Sequence, residues 1–397
     1  MKPHKPKQIS LGLCATLIVM AISLTFSVTV LLTSGRISLG GDSAQSIYAK
    51  LREIDQLAQN YFYKDPDNIA LADGVAAGYT AGLGDPYATY MTAEQYASMM
   101  RSYEGVGIGI GITTTEHPDT HFLYVVSVSP GSPAADADIQ KGDQITAVDG
   151  KDVQSLGYAN AVDLILGEEG TDCTLTVLRE GKSHAVTLTR REYASSSVES
   201  RMVGEMGYVR ITSFNDGTVD QFKDAVNALQ SQGAAGLMFD VRHNTGGTLD
   251  SVAAMLDFLL PEGDLVSAVY RDGKREVLHR SDASQINLPM AVLTDEYSAS
   301  ASELFAAAIR DFGKGKLVGE TTFGKGIMQR TYELSDKSAV RFTIAEFNPP
   351  SGENFNGKGL KPDVEVSLTD DQKLRFYLLT DEEDSVLQAG LAVLRGN

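Results

Sequence analysis

The chain has 397 residues, of which 43% are hydrophobic and 22% are charged, and its formal net charge is −18. This composition excludes an intrinsically disordered chain, a collagen and a protein with many membrane spans. The acidic balance argues against nucleic acid as a partner, because binding to phosphates needs a surplus of lysine and arginine. The length predicts two or three domains with cores of their own.

The first predicted element is a membrane anchor. Residues 9–32 form an uncharged, mostly apolar run, which as a helix would be about 36 Å long and would cross the hydrocarbon core of a bilayer. Three lysines precede the run and only one arginine follows it closely. The more positively charged flank of a membrane helix stays in the cytoplasm, so the residues before the run are predicted to be cytoplasmic. We predict a cytoplasmic tail (1–8), an uncleaved signal anchor (9–33) in the cell membrane and an extracytoplasmic remainder. A cleaved signal peptide is the alternative, although the run is long and ends without a small-x-small site.

Two segments with different periodicities follow the anchor. Apolar residues recur at helical spacing through residues 43–100, and Thr92 begins a helix with the pattern of a capping box. From 101–192 the pattern is that of strands and turns. Residues 105–112 (GVGIGIGI) alternate glycine with β-branched residues, which is typical of one continuous strand with a bare face.

The second of these segments resembles a PDZ domain. The resemblance rests on the glycine-rich run together with Gly-Ser-Pro-Ala at 131–134, Lys-Gly-Asp-Gln-Ile at 141–145 and Val-Asp-Gly at 148–150. PDZ domains bind the C-terminus of a peptide as an added strand and hold its carboxylate on a glycine-rich loop. The resemblance therefore implies peptide contacts at five residues: Gly105, Val106, Gly107, Ile108 and Gly109. The alternative is a small β-barrel with a glycine-rich hairpin.

Beyond a short polar link, the chain has the pattern of an α/β protein. Strands alternate with helices between residues 193 and 368, and a helical segment closes the chain at 369–397. One strand with a buried pattern, 236–242, ends in His-Asn-Thr-Gly-Gly at 243–247. Because ligands of α/β folds bind where strands end and helices begin, this turn and its neighbours are candidates for a site.

Ser300 stands between a strand that ends near Leu293 and a helix that starts near Ser302. The free N–H groups and the macrodipole at a helix start favour developing negative charge, which acyl-transfer chemistry requires. The alternative is structural. Ser300 and Glu303 have the spacing of a capping box, in which the serine only caps the helix.

Lys325 stands between two glycines, which allow close approach of a backbone. A lysine titrates near about 10.4, but burial lowers the pKa by up to about 3–5 and produces a base that can take a proton from a serine hydroxyl. Gln329 is four residues further on, on the same face of a helix or a strand, and its amide can orient the amine. The alternative for Lys325 is a surface lysine in a turn.

Together these segments resemble the C-terminal processing peptidases, also called tail-specific proteases. The resemblance begins near residue 54, and its motifs occur in the order of the family: Gly-Asp-Pro-Tyr at 84–87, the PDZ segment, Asp-Val-Arg-His-Asn-Thr-Gly-Gly at 240–247, Ser-Ala-Ser-Ala-Ser-Glu at 298–303, Phe-Gly-Lys-Gly at 323–326 and Pro-Ser-Gly at 350–352. It implies an α/β fold, with a crotonase/Clp-protease-like ββα protease core and an inserted PDZ domain.

The resemblance implies a serine endopeptidase with a Ser-Lys dyad that needs no metal or cofactor. It assigns the nucleophile to Ser300, the general base to Lys325, the support of that lysine to Gln329, and the oxyanion hole to the amides of Gly246 or Gly247 and of Ala301. The implied partners are unfolded or extended proteins with free C-termini. The membrane is a further partner through the N-terminal helix, and a homodimer is left open.

The sequence departs from the family pattern at two positions of the oxyanion turn. Thr245 stands where the family usually has proline, and His243 where asparagine is common. We interpret His243 as a turn or supporting residue rather than the base. Two other functions stay as alternatives: a PDZ adaptor with an inactive core, and a trypsin-like protease. The second needs a Gly-Asn-Ser-Gly-Gly nucleophile with upstream histidine and aspartate, and the sequence has no such set.

Overall fold

The computed structural model describes residues 42–396. The predicted cytoplasmic tail (1–8) and signal anchor (9–33) lie outside the described residues. Between residues 42 and 396, none of the helices combines the length and the apolar character needed to traverse a bilayer. Contacts divide the chain into two units, one up to Val75 and one from Ala76 onward.

The first unit contains α1 (Asp42–Tyr61) and the beginning of α2 (Asn68–Ala81). Helix α1 ends shortly before the Lys-Asp-Pro sequence at 64–66, because a residue that precedes proline disfavours helical backbone angles. The helical character predicted from residue 43 onward is therefore confirmed for this segment.

The remaining elements belong to the second unit. Its further helices are α3 (Ala93–Glu104), α4 (Pro133–Asp136), α5 (Val153–Leu156), α6 (Tyr158–Ile165), α7 (Asp216–Ser231), α8 (Leu249–Leu259), α9 (Ala301–Asp311), α10 (Asp370–Leu374) and α11 (Ser385–Leu394). Its strands are β1 (Thr89–Met91), β2 (Val106–Gly109), β3 (Ile112–Glu116), β4 (Leu123–Val128), β5 (Gln144–Val148), β6 (Lys151–Asp152), β7 (Asp172–Arg179), β8 (Lys182–Thr189), β9 (Arg191–Ala194), β10 (Val198–Val203), β11 (Met206–Ile211), β12 (Gly236–Asp240), β13 (Gly263–Tyr270), β14 (Arg275–Ser281), β15 (Met290–Thr294), β16 (Gly315–Gly319), β17 (Ile327–Glu333), β18 (Ala339–Asn348) and β19 (Val364–Glu365).

Strands β3 to β8 form a six-stranded antiparallel sheet with a core of its own. The glycine-rich run does not form the continuous strand predicted for 105–112. Gly109 and Gly111 have φ values of +149° and +81°. The backbone changes direction at these two glycines, so that β2 ends at Gly109 and β3 begins after Gly111. A Cβ on Gly111 would lie 2.2 Å from the Cβ of Ser132, so only glycine fits there. Strand β2 instead pairs with β9 in a separate two-stranded sheet.

The α/β core is built on a second six-stranded sheet in the order β10-β11-β12-β15-β16-β19, parallel except for β10. Its central strands are buried on both faces, which explains their continuous hydrophobic runs. In β12, Leu237 and Phe239 pack in the cluster that holds α7, α8 and α9. Met238 points to the other face and packs in the cluster that holds α11. The predicted alternation of strands and helices is confirmed.

A smaller antiparallel sheet carries the segments that complete the site. Its long strand β18 pairs with β1 and β13 along one side and with β17 along the other. No strand among the described residues pairs with the second edge of β17. This arrangement places β1 beside β18, although the two strands are more than 230 residues apart in the sequence.

Replacing Arg242 with methionine is expected to lower the free energy of unfolding by about 3–5 kcal/mol. The buried guanidinium donates to Asp240 at 2.6 Å and to Asp384 at 2.7 Å, and so fastens the start of α11 to the end of β12. The variant leaves two buried carboxylates without this partner, and urea unfolding measures the loss. Arg201→Met is the control, because the pair of Arg201 with Asp381 is partly exposed and should contribute about 1 kcal/mol or less. Equal losses in both variants would contradict this account.

Candidate active site

Three loops meet at the carboxyl edge of the core sheet. Strands β12, β15 and β16 are parallel neighbours, and each is followed by a loop that the sequence analysis singled out. The loops are 241–248, 295–300 and 320–326. The carboxyl ends of neighbouring parallel strands lie side by side. The three motifs, which are far apart in the sequence, therefore come together in a single site.

Ser300 occupies a strained turn between β15 and α9. Its φ of +59° and ψ of −113° lie in a region that costs a residue with a side chain about 1–3 kcal/mol. An ordinary helix cap of this chain, Thr92, has the extended values −61° and 165°. A serine that served only as a cap would not need the strained backbone. The turn instead resembles the sharp strand-to-helix bend that exposes a nucleophile at a helix start.

Glu303 ties the Ser300 loop to the Lys325 loop. Its fully buried carboxylate accepts the N–H of Ser300 at 2.8 Å and the N–H of Lys325 at 2.8 Å. It also accepts the N–H of Gly324 at 2.7 Å and the hydroxyl of Thr322 at 2.6 Å. Burial raises the pKa of Glu303, and the hydrogen bonds oppose that rise. One side chain thus fixes the backbones of both proposed catalytic residues.

The half-buried ammonium of Lys325 has a lowered pKa. Burial is the main cause, and the positive charge of Arg341 is the second. The carboxylates of Glu303 and Asp85 act in the opposite direction without reversing the shift. The neutral amine is therefore reached at a lower pH than in a free lysine.

Ser300 and Lys325 line one cavity of about 530 Å³. The Nζ of Lys325 lies 4.7 Å from the centre of the Tyr87 ring. In the part of the chain that the structure describes, no direct hydrogen bond joins this amine to the Ser300 hydroxyl. The structure brings the two predicted residues into the same cavity and holds the lysine against an aromatic face.

The segment around Asp85 is a part of the site that the sequence analysis missed. Strand β1 pairs with β18, with Thr89 opposite Arg341. Asp85 accepts the N–H of Thr343 at 2.8 Å and the N–H of Tyr87 at 2.9 Å, which seats Tyr87 beside Lys325. The Gly-Asp-Pro-Tyr motif was one signal that could have indicated this role, but nothing local to it predicts pairing with a distant strand.

Two glycines of the 243–247 turn approach other backbones closely. A Cβ on Gly246 would lie 3.0 Å from the nitrogen of Ala301, and a Cβ on Gly247 would lie 1.9 Å from the carbonyl oxygen of Phe214. The Gly246 N–H is already donated to Asn244 Oδ1 at 2.8 Å. Within residues 42–396, the N–H groups of Gly247 and Ala301 have no protein acceptor. These two donors are the ones left for an oxyanion.

Gln329 lines the same cavity but is directed elsewhere. Its Nε2 donates to the carbonyl of Ile327 at 3.2 Å and to Thr343 Oγ1 at 3.4 Å. Lys325 precedes β17, and the strand has a bulge between Met328 and Gln329. The regular i, i+4 relation from which the contact with Lys325 was predicted is therefore interrupted.

His243 lies outside the cavity of Ser300 and lines a second one. Its Nδ1 is 2.7 Å from Asp295 Oδ2, and its ring stacks on Phe376 with 4.3 Å between centres. Burial alone would raise the pKa of Asp295, but the hydrogen bond and the charge of His243 outweigh burial and lower it. Asp295 also accepts the N–H of Ser298 at 2.9 Å. The imidazole thus supports the loop that leads to Ser300.

Comparison with known proteins assigns the chain to a family. The sequence profile of peptidase family S41 matches residues 205–366, and that of a PDZ domain matches residues 124–179. The carboxy-terminal processing protease CtpA of Bacillus subtilis (strain 168) is 33% identical over 370 residues, which cover 90% of this chain and 78% of that protein. The chain belongs to peptidase family S41. The family resemblance found in the sequence is therefore confirmed.

Further similar proteins agree with this assignment. A CtpA-like serine protease of Staphylococcus aureus (strain COL) is 31% identical over 361 residues, covering 88% of this chain and 72% of that protein. The structure of a photosystem II D1 C-terminal processing protease matches with a TM-score of 0.50 at 29% identity, over 83% of this chain and 92% of that one. An S41 protease from Bacteroides fragilis NCTC 9343 shares the fold, with a TM-score of 0.59 at 18% identity over 85% and 93% of the two chains.

This S41 peptidase is a serine-type peptide-bond hydrolase of the C-terminal processing group, with an α/β protease fold and a PDZ domain. The predicted enzyme class is confirmed. The roles proposed below for Ser300, Lys325 and their neighbours rest on the geometry described above.

The five residues predicted to contact the peptide in the PDZ domain of this S41 peptidase lie outside its six-stranded sheet. Gly105 caps α3, and the other four residues form β2, which pairs with β9. Strand β3 is one edge strand of the six-stranded sheet, and β8 is the other. Tyr158, at the start of α6, donates its hydroxyl to the carbonyl of Thr114 on β3 at 2.8 Å. The free edge of β3, next to α6, therefore comes after the five predicted residues in the sequence.

Proposed function

We propose that the chain cleaves peptide bonds of extended substrates with Ser300 as the nucleophile and Lys325 as the general base. One observation carries the proposal: the strained serine and the lysine of lowered pKa line the same cavity, beside two backbone donors that have no acceptor among the described residues. The neutral amine of Lys325 takes the proton of Ser300 Oγ as this oxygen attacks the carbonyl carbon.

The tetrahedral oxyanion is held by the N–H groups of Gly247 and Ala301. Gly247 is preferred over Gly246 because the N–H of Gly246 is already committed to Asn244. Lys325, now protonated, gives its proton to the leaving amine, and water then hydrolyses the ester on Ser300. Gln329 supports this arrangement by joining β17 to β18, and a direct contact with Lys325 stays a prediction.

The substrate is an extended peptide. Residues 327–331 of β17 line the cavity, and the second edge of this strand is unpaired among the described residues. A peptide added at this edge would satisfy the main-chain groups of β17 and run past Ser300. We propose that the PDZ domain captures the substrate C-terminus at the edge of β3 beside α6, rather than along residues 105–109.

We propose an extracytoplasmic location for the catalytic part, held to the cell membrane by the anchor 9–33. The support is the apolar run and the lysines that precede it. The proposed domains are a helical region (43–100), the PDZ domain (101–192), the protease core (193–368) and a C-terminal helical segment (369–397). Homodimerisation stays a prediction.

Covalent labelling tests the nucleophile. A fluorophosphonate probe is expected to modify Ser300 in the purified full-length chain, and intact-mass measurement should show no adduct on Ser300→Ala. Ser298→Ala is the matched control from the same sequence run, because the hydroxyl of Ser298 is bound to the carbonyl of Val241 at 2.8 Å. Labelling that persists in Ser300→Ala would contradict the assignment.

His243→Ala is expected to keep at least about a tenth of the wild-type kcat/KM, because the imidazole supports a loop and does not reach the cavity of Ser300. A catalytic histidine would instead cost about 10⁴-fold or more. Hydrolysis of a quenched fluorescent peptide separates the two outcomes. A loss of the larger size would support a Ser-His mechanism against the one proposed here.

A further inference from the structure

The cavity that contains Ser300 has positive charges and no negative ones. Among the described residues that line it, the charged ones are Lys325, Arg330 and Arg341, and none is aspartate or glutamate. The whole chain has a net charge of −18, so composition does not explain this wall. A cleft lined by one sign of charge attracts ligand groups of the opposite sign.

Among the three cationic side chains that line the cavity, Arg341 is the one with a buried nitrogen that has no acceptor in the part of the chain that the structure describes. Its Nε is buried and has no hydrogen-bond acceptor. Its Nη1 contacts the sulfur of Met99 at 3.8 Å, which is a weak acceptor. None of the ion pairs within residues 42–396 involves Arg341. A guanidinium has five N–H donors in a fixed fork, and within residues 42–396 the only acceptor identified for Arg341 is this sulfur.

The two buried arginines among the described residues have acceptors for their guanidinium groups, whereas Arg341 is only partly buried. Arg190 donates to the carbonyls of Ile165 and Leu164, each at 2.8 Å. Arg242 lies between two carboxylates, as described above. Leaving a buried donor unpaired has a free-energy cost, so the buried Nε of Arg341 in a cavity wall points to a ligand that supplies its acceptor.

We propose that Arg341 binds a carboxylate of the substrate, through Nε and one of the Nη atoms in a bidentate pair. The inference rests on the proposed function, because the segment with this carboxylate must occupy the cavity while its neighbouring peptide bond lies at Ser300. The carboxylate belongs to an aspartate or glutamate near the scissile bond, or is the terminal carboxylate of a short product-side segment.

Matched peptides test the proposal with the purified full-length chain. One set carries glutamate or glutamine at successive positions around a single scissile bond. The other set ends in a free carboxylate or an amide at successive distances from that bond. For each pair, the quantity measured is the ratio of kcat/KM between the charged and the neutral member. The first set detects a side-chain carboxylate and the second detects the terminal one.

The wild-type ratio is expected to reach about 10-fold or more at one position, which is the size of one charge-assisted hydrogen bond. In Arg341→Gln it should fall to within about 2-fold. Arg341 also lowers the pKa of Lys325, so absolute rates will change in this variant, but the ratio within one variant is free of that effect. Arg330→Gln is the matched control, since Arg330 is exposed on the same wall, and it should keep the preference.

A wild-type chain without a charge preference in either set would overturn the proposal. So would a preference that survives Arg341→Gln, or one that is lost equally in Arg330→Gln. Failure of the proposed function is a different result, because peptide cleavage would then be absent or would persist in Ser300→Ala.

Discussion

Replacing Lys325 with methionine is expected to lower kcat/KM by about 10⁴-fold or more, because Ser300 then has no group that accepts its proton. Lys325→Arg should be equally inactive, since a guanidinium keeps the positive charge but does not lose a proton near neutral pH. Peptide hydrolysis by the purified variants gives the rates, and circular dichroism confirms that they are folded.

Lys358→Met is the matched control for these variants. Lys358 also stands between two glycines, next to the Lys325 loop, but its side chain is exposed. It should keep the wild-type rate within about 3-fold. Substantial activity in Lys325→Arg would show that the charge of the lysine matters and its basicity does not.

Replacing Glu303 with alanine is expected to reduce activity by about 10²-fold or more and the free energy of unfolding by about 3–5 kcal/mol. Four donors lose their buried acceptor, and two of them are the backbone N–H groups of Ser300 and Lys325. The side chains proposed as nucleophile and base then lose their fixed positions. Glu303→Gln keeps one acceptor oxygen and should lose less on both measures.

Asp143→Ala separates positioning from general stability. Asp143 is also a buried carboxylate, and it accepts from Arg179 at 2.6 Å within the PDZ domain. Its loss should lower stability while leaving the rate of fluorophosphonate labelling of Ser300 unchanged. If the two alanine variants slow labelling equally, Glu303 has no specific role in the site.

The parts of the site that could be predicted are those set by local sequence. Ser300, Lys325 and Gly247 each follow a strand of the parallel sheet, and the adjacency of those strands brings them together. The helix start predicted at Thr92 has both hydrogen bonds of a capping box. The prediction of one continuous strand over 105–112 was wrong because Gly109 and Gly111 turn the backbone through positive φ.

The parts that could not be predicted depend on pairing between distant segments. Tyr87 reaches Lys325 because β1 pairs with β18, and no periodicity in either segment indicates that pairing. The same pairing surrounds Arg341, whose importance comes from the absence of an acceptor rather than from a motif. The predicted contact of Gln329 with Lys325 assumed a regular strand, and the bulge in β17 interrupts it.

The pH dependence of kcat/KM for an uncharged peptide tests the central claim most directly. Lys325 must be neutral to act, so the rate should rise with pH through an ionisation below the ordinary lysine value of 10.5. In Arg341→Gln the midpoint should move to higher pH, since a positive neighbour that lowers the pKa has been removed. A midpoint near about 6.5, as for histidine, or one at the ordinary lysine value would contradict the account.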